Sequence, residues 1–320
     1  MLKFGKLQTL STATFSDLPI ETLTKVIGEL NLFNRLSIRK VSSCLRSIVD
    51  HQTSRCHFIG IEFFKSSLEL RINNCKFQYV KAGNKCKISQ LQNRKCIRTL
   101  TGKPINIVAN DLRSIIIQPK LIFEKFYFDC VRESIIDEHL MFRIMDSFPV
   151  FKIHAERLVL LVRDLDTSLD VVSRFESGTL HSLYLQSGSE YIAQSTKLIE
   201  HLSNTDQWKL ATYINLITFQ PIRAADLKWF YHLKVFLVNL ASLSGKEIQG
   251  LFDVVSKNSS FETCTLKMSS QTSQHELLKY LPPDENVSEY YYQYPSSNPQ
   301  ECIELHFIKK KIFIRRMPRS

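Results

Sequence analysis

The chain has 320 residues, 44% hydrophobic and 23% charged, with 42 Lys and Arg against 31 Asp and Glu for a net charge of +11. That length holds two domains with a sizeable core, and the balance excludes a globally disordered polymer. No apolar run approaches the ~18 residues that cross a bilayer, and the opening MLKFGKLQTLSTATF lacks the continuous apolar stretch of a secretory signal, so an intracellular protein, cytoplasmic and/or nuclear, is expected.

Residues 1–14 read as a flexible N-terminus and 15–54 as three short helices. Pro19 suits the first position of a helix, because its φ is already set and its missing N–H would have had no partner. Glu21 puts a carboxylate where the helix dipole favours it. Ile20, Leu23, Val26, Ile27 and Leu30 recur at spacings of three and four and mark one apolar stripe. Gly28 is discordant, costing about 1 kcal/mol against alanine inside a helix. Asn34 is predicted to cap a second helix through Leu36 and Ile38, and Ser42 a third whose apolar run is Val41, Cys44, Leu45, Ile48 and Val49. Helices this short bury too little surface to be self-sufficient. Pattern alone divides evenly between a helical hairpin packed onto the rest of the chain and a docking module for another protein.

This stretch resembles an F-box. Leu18-Pro19 matches the pair that opens that motif, Ile20-Glu21 and Leu23 continue it, and Leu36 to Val41 followed by Leu45-Arg46 and Ile48-Val49 are similar to its later helices. The aromatic that many F-boxes carry near Leu45 is missing. The resemblance implies docking onto the Skp adaptor of a cullin-RING ubiquitin ligase, with Leu18, Pro19, Ile20, Leu23, Leu36 and Leu45 facing or supporting the adaptor.

Residues 55–103 form a basic island of net charge +9, with 309–320 adding six further cations, so the remainder is mildly acidic. The first island has strand character: an apolar run over Phe58–Phe64, then alternation over Ser67–Ile72 and Lys76–Val80, with turns at Asn73-Asn74 and Gly83-Asn84. It is predicted to be an antiparallel meander in which each lysine is the solvent side of a half-buried strand. That placement explains the charge without a nucleic-acid ligand.

From 104 to 290 helices and strands alternate. Helices are expected at Ile105–Ile117, Glu133–Phe148, Leu169–Phe175, Gln194–Leu202, Ile222–Phe230 and Gly245–Ser256. Strands are expected at Phe123–Phe128, Leu158–Val162, Leu180–Leu185, Tyr213–Phe219, Lys234–Leu240 and Thr263–Met268. Strand starts 21 to 35 residues apart suit a degenerate leucine-rich-repeat-like array, and an ordinary α/β domain with a mixed sheet fits about as well. Asn239 is a lone candidate for the asparagine of a regular repeat. The run Val108 to Leu121, followed by Phe126, resembles the opening of the FTH domain, which accompanies F-boxes in a large nematode family. That resemblance implies a modular adaptor whose second domain selects a target. The class is thus α+β or α/β: three helices, a short meander, a repeat-like array and, over 291–320, a capping hairpin with a basic tail. A nuclear-import patch in Lys309 to Lys311 with Arg315 and Arg316 is a further reading of that tail.

No enzyme constellation competes. The eight cysteines include no CxxC pair, and reduced, partly buried thiols are expected rather than a metal site. His275-Glu276 begins a zinc-protease pattern that Lys279 breaks, and Asp164 with Asp166 suits helix capping better than acid–base work. No cofactor is expected. The two resemblances together imply a non-catalytic, substrate-recruiting subunit of a ubiquitin ligase. A second reading is a nucleic-acid scaffold using the two basic islands, and a third is an interaction module unrelated to ubiquitin.

Overall fold

The computed structural model describes residues 17–92, 95–118, 120–131, 144, 152–162, 166–187, 195–218, 220–269, 291–308 and 310–319. The chain divides into two compact units, Met1–Ser54 with Gln118–Lys120, and Arg55–Ile117 with Leu121–Ser320.

The first unit is helical: α1 (Ile20–Gly28), α2 (Leu32–Ile38) and α3 (Ser43–His51). Pro19 stands one place earlier than expected, as the N-cap, because its ψ of 145° is extended; its carbonyl accepts from the Thr22 and Leu23 amides at 3.0 Å. Gly28 is not interior; it is the last residue of α1, where the propensity penalty fades. The cap of α2 is Asn31 rather than Asn34: the Asn31 side chain accepts from the Asn34 amide at 3.0 Å, so the residue expected to cap is the one being capped. Ser42 caps α3 as predicted, accepting from the Leu45 amide. Leu23, Ile27, Leu45, Ile48 and Val49 make the buried core, with Ile38 packed against it.

Polar staples close the unit. The Arg35 guanidinium donates to the carbonyls of Gly28 and Leu30 and to Ser54 Oγ, gathering the end of α1 and the segment after α3 onto α2. Arg39 grips Asp50 with two bonds of 2.6 and 3.0 Å, a fork geometry that joins α2 to α3.

The second unit is built on one mixed sheet. In chain order its strands are β1 (Ser54–Cys56), β2 (Ile59–Phe64), β3 (Ser67–Ile72), β4 (Cys75–Ala82), β5 (Lys85–Gln90), β6 (Lys95–Thr101), β7 (Leu121–Asp129), β8 (His154–Val162), β9 (Ser182–Ser187), β10 (Tyr213–Ile217), β11 (Val235–Leu240), β12 (Thr263–Met268), β13 (Tyr291–Pro295), β14 (Glu301–Ile308) and β15 (Lys311–Pro318). Across the sheet the order is β13-β14-β15-β12-β11-β10-β9-β8-β7-β2-β3-β4-β5-β6, with β1 beside β7. Strands β2 to β6 pair antiparallel, β7 to β12 pair parallel in sequence order, and β15 returns antiparallel between β12 and β14.

The helices of this unit are α4 (Pro104–Ile116), α5 (Asp166–Ser173), α6 (Ser195–Ser203), α7 (Asp206–Lys209) and α8 (Gly245–Lys257), with a 3-10 turn over Ala224–Phe230 where an α-helix was expected from Ile222. The helix expected over 133–148 lies outside the described residues apart from the buried Ile144, as do 1–14, Asp164 and the pattern at His275. Helix α8 has a full capping box, Ser244 with Glu247.

The parallel strands β9 to β12 turn every second residue inward. Leu183 and Leu185, Ile214 and Leu216, Phe236 and Val238, Cys264 and Leu266 are at most 1% exposed and form one face, covered by the connecting segments. An aromatic chain shows how: Trp208, Phe230, Phe236 and Phe261 meet at ring distances of 5.2, 5.7 and 6.2 Å, with the strand residue Phe236 seated between Phe230 and Phe261 of the connecting segments. Asn239, on the opposite face, donates its Nδ2 to the Thr218 carbonyl at 3.2 Å and so ties two successive units together. In the meander, Cys86 and Ile88 point in while Lys85 and Lys87 point out, which is the alternation read from the sequence.

Arg316 secures the far end. Its guanidinium, 10% exposed, donates to Glu301, Ser296 Oγ and the carbonyls of Val255, Ser256, Asn258 and Phe261, so it caps the C-terminus of α8 from β15. Arg315 faces the other way and pairs with Glu304 at 2.7 Å. Of the two arginines read as an import patch, one is therefore a buried cap.

Candidate functional site

The candidate docking residues of the first unit separate into two groups. Leu23 and Leu45 are 4% and 7% exposed and meet in the core, so they shape the unit without being open to a partner. Leu36 is half-buried on α2. Leu18 and Ile20 are open at 39% and 57%, and Pro19 between them is exposed. Such exposure is unusual for branched apolar side chains at the start of a helix whose core is complete without them.

Two more residues join them. Val26 is 41% and Val41 71% exposed. Both were read as part of buried stripes. Val41 fails because it precedes the cap Ser42, so it hangs off the loop before α3 instead of lying on its inner face; Cys44 is exposed as well. On α1 only Leu23 and Ile27 are buried, and Ile20 and Val26 flank that stripe on either side. A helical wheel weighted to Leu23 and Ile27 would have found them, since the four apolar residues of this nine-residue helix cannot all turn inward.

In the second unit the Cys56 thiol is held by burial and the Glu124 carboxylate by ion pairing. Burial pushes the Cys56 thiol up to about 12, and Cys86 and Cys264 rise for the same first reason, so these thiols behave as small apolar side chains. Glu124 is held below the usual carboxylate range by its hydrogen bond from His57, aided by Arg55, in an open charged cluster with Glu156. A surface network of this kind binds charge but holds no nucleophile beside a base.

The first unit is thus a capped three-helix module with open apolar side chains, followed in the chain by an αβ unit. Residues 15–57 match the F-box domain and residues 139–284 the FTH domain, so the chain is an F-box protein with an FTH domain C-terminal to the F-box. The run Val108 to Leu121, which carried the FTH resemblance in the sequence, lies ahead of that matched span. A relative, F-box A protein 224 of Caenorhabditis elegans, is 24% identical over 253 residues, covering 75% of this chain. The chain spans 63% of that relative's length.

Proposed function

We propose that this chain is a substrate-recruiting subunit of a cullin-RING ubiquitin ligase. Its F-box docks a Skp-type adaptor through Leu18, Pro19, Ile20, Val26 and Val41, with Leu23, Leu36 and Leu45 holding the helices in place. The FTH-bearing unit, a repeat-like ladder of parallel strands, holds the target. The mechanism is proximity: tethering raises the effective concentration of target lysines near the ubiquitin-loaded enzyme, and no residue of this chain takes part in bond making. The observation that carries the reading is the exposure of Leu18, Ile20 and Val41 on a module whose core is already complete.

The test is co-expression with a Skp-type adaptor followed by affinity capture. Replacing Leu18 and Pro19 together by alanine should abolish capture while leaving the melting curve within about 2 °C, because neither contributes to the buried core. Undiminished capture by the double variant refutes the docking assignment.

A further inference from the structure

The face of the sheet turned away from the helices carries a pattern the function above does not use. On β9, β10, β11, β12 and β15 the outward residues fall in register across the strands. One row runs Tyr184, Asn215, Leu237, Thr265, Phe313. The next row ends in Lys267 and Lys311, which stand directly opposite each other in the antiparallel β12–β15 pair.

Two facts mark this face as built for a ligand. First, like charges directly opposite on one sheet face repel, yet neither lysine has an ion pair among the described residues. The outward positions of β9 to β12 carry no Asp or Glu, and Glu304 on the neighbouring β14 is held by Arg315. Second, Asn215 is only 7% exposed and its Oδ1 has no hydrogen-bond partner among the described residues. An unmet buried polar atom and an unneutralised cation pair share one surface, beside half-buried Tyr184, Leu237 and Phe313.

We propose that this face is where the target binds, and that it takes a segment in which carboxylate side chains stand next to aliphatic or aromatic ones. Lys267 and Lys311 clamp the carboxylates and fix the register of the segment, since a shared anion turns their repulsion into attraction. The row from Tyr184 to Phe313 receives the apolar side chains, its Tyr184, Leu237 and Phe313 being half-buried. The proposal rests on reading the chain as a target-recruiting adaptor.

Random peptides displayed on phage and panned against the full chain test it without involving the adaptor. Recovered peptides should be enriched in Asp and Glu beside Leu, Phe, Tyr or Trp. A synthetic peptide from that set, followed by fluorescence anisotropy, should lose at least about tenfold in affinity in the Lys267→Glu/Lys311→Glu variant and weaken on raising salt to about 1 M, where the screening length falls to about 3 Å. The single variant Lys311→Glu should bind less tightly yet melt at or above the parent, because it converts a cross-strand repulsion into an opposite-charge pair. Panning that returns nothing, peptides without acidic enrichment, or acidic peptides that bind the double variant equally well overturns the proposal. So does a single-stranded RNA that takes the peptide's place with the same mutational losses. Acidic peptides selected by a chain that captures no adaptor would sink the ligase reading and leave this one standing.

Discussion

Replacing Arg316 by alanine probes how the sheet and its last helix hold together. The guanidinium has five N–H groups and serves six acceptors, one of them the Glu301 carboxylate at 2.6 Å. Ser256 O and Ser296 Oγ keep other partners after truncation, since the Ser297 hydroxyl donates to Ser256 O and the Asn298 amide to Ser296 Oγ. Glu301, 34% exposed, can turn to water. The Asn258 carbonyl likewise keeps the Phe261 amide, whereas the carbonyls of Val255 and Phe261 lose the bond from Arg316, at about 1 kcal/mol each, and the severed charge pair adds a further 1 to 2. A loss of about 3 kcal/mol follows, a large part of a typical total of 5–15. Lysine cannot serve a planar array of acceptors, so Arg316→Lys should recover less than half of it. Lys234→Ala is the control: its partner Glu262 lies 3.8 Å away and both are about half exposed or more, a pair worth well under about 1 kcal/mol. Urea unfolding of the three variants measures the differences. If Arg316→Ala costs no more than Lys234→Ala, the cap is not a structural tie and the bookkeeping above is wrong.

Other outcomes follow from single groups. Trp208→Ala removes a side chain 1% exposed whose Nε1 donates to the Trp229 carbonyl, and should cost about 4 kcal/mol by chemical denaturation, while Trp208→Phe recovers most of the packing but not the bond. Stability should fall as pH rises above about 9: the folded thiols of Cys56, Cys86 and Cys264 stay protonated while the unfolded ones ionise, so the contribution is complete below the ordinary thiol pKa near 9.0 and drains away toward about 12. Urea midpoints at pH 7.5, 9 and 10.5 in reductant check the sign, and a midpoint that climbs with pH contradicts it. Gly60→Ala would place a Cβ 2.7 Å from the Phe58 ring and 3.4 Å from Tyr127, expelling Phe58 from its seat beneath Arg71; a loss of about 1 to 2 kcal/mol is expected in the same assay.

Much of this architecture was legible because the signals are local. Period-two alternation over Ser67–Ile72 and the apolar Thr263–Met268 run named strands that the backbone adopts, and Ser42 announced its helix through one hydroxyl. What escaped is set by neighbours. Lys85–Gln90 and Lys95–Thr101 were given no strand bounds of their own within the expected meander; they pair because β4 offers an open edge and α4 covers one side of the ribbon. Ala224–Phe230 has helical periodicity but tightens into a 3-10 turn, where the buried Asp226 is held by Arg223. The exposure of Leu18, Pro19 and Ile20 belongs to residues singled out by motif, whereas Val26 and Val41 look like core until a cap is placed. The Lys267–Lys311 pair joins residues 44 positions apart, and only the antiparallel return of β15 brings them together.

That return has a consequence for how the protein is made. The strand β15 follows β14 in sequence but lies between β12 and β14 in the sheet. Until residue 318 has left the ribosome, β12 is a bare edge, with the amides and carbonyls beside Cys264 and Leu266 free to recruit any passing strand. A message cut short anywhere between 269 and 310 would therefore yield a chain that folds most of its sheet and then presents a sticky border. Such a product is expected to aggregate or be cleared.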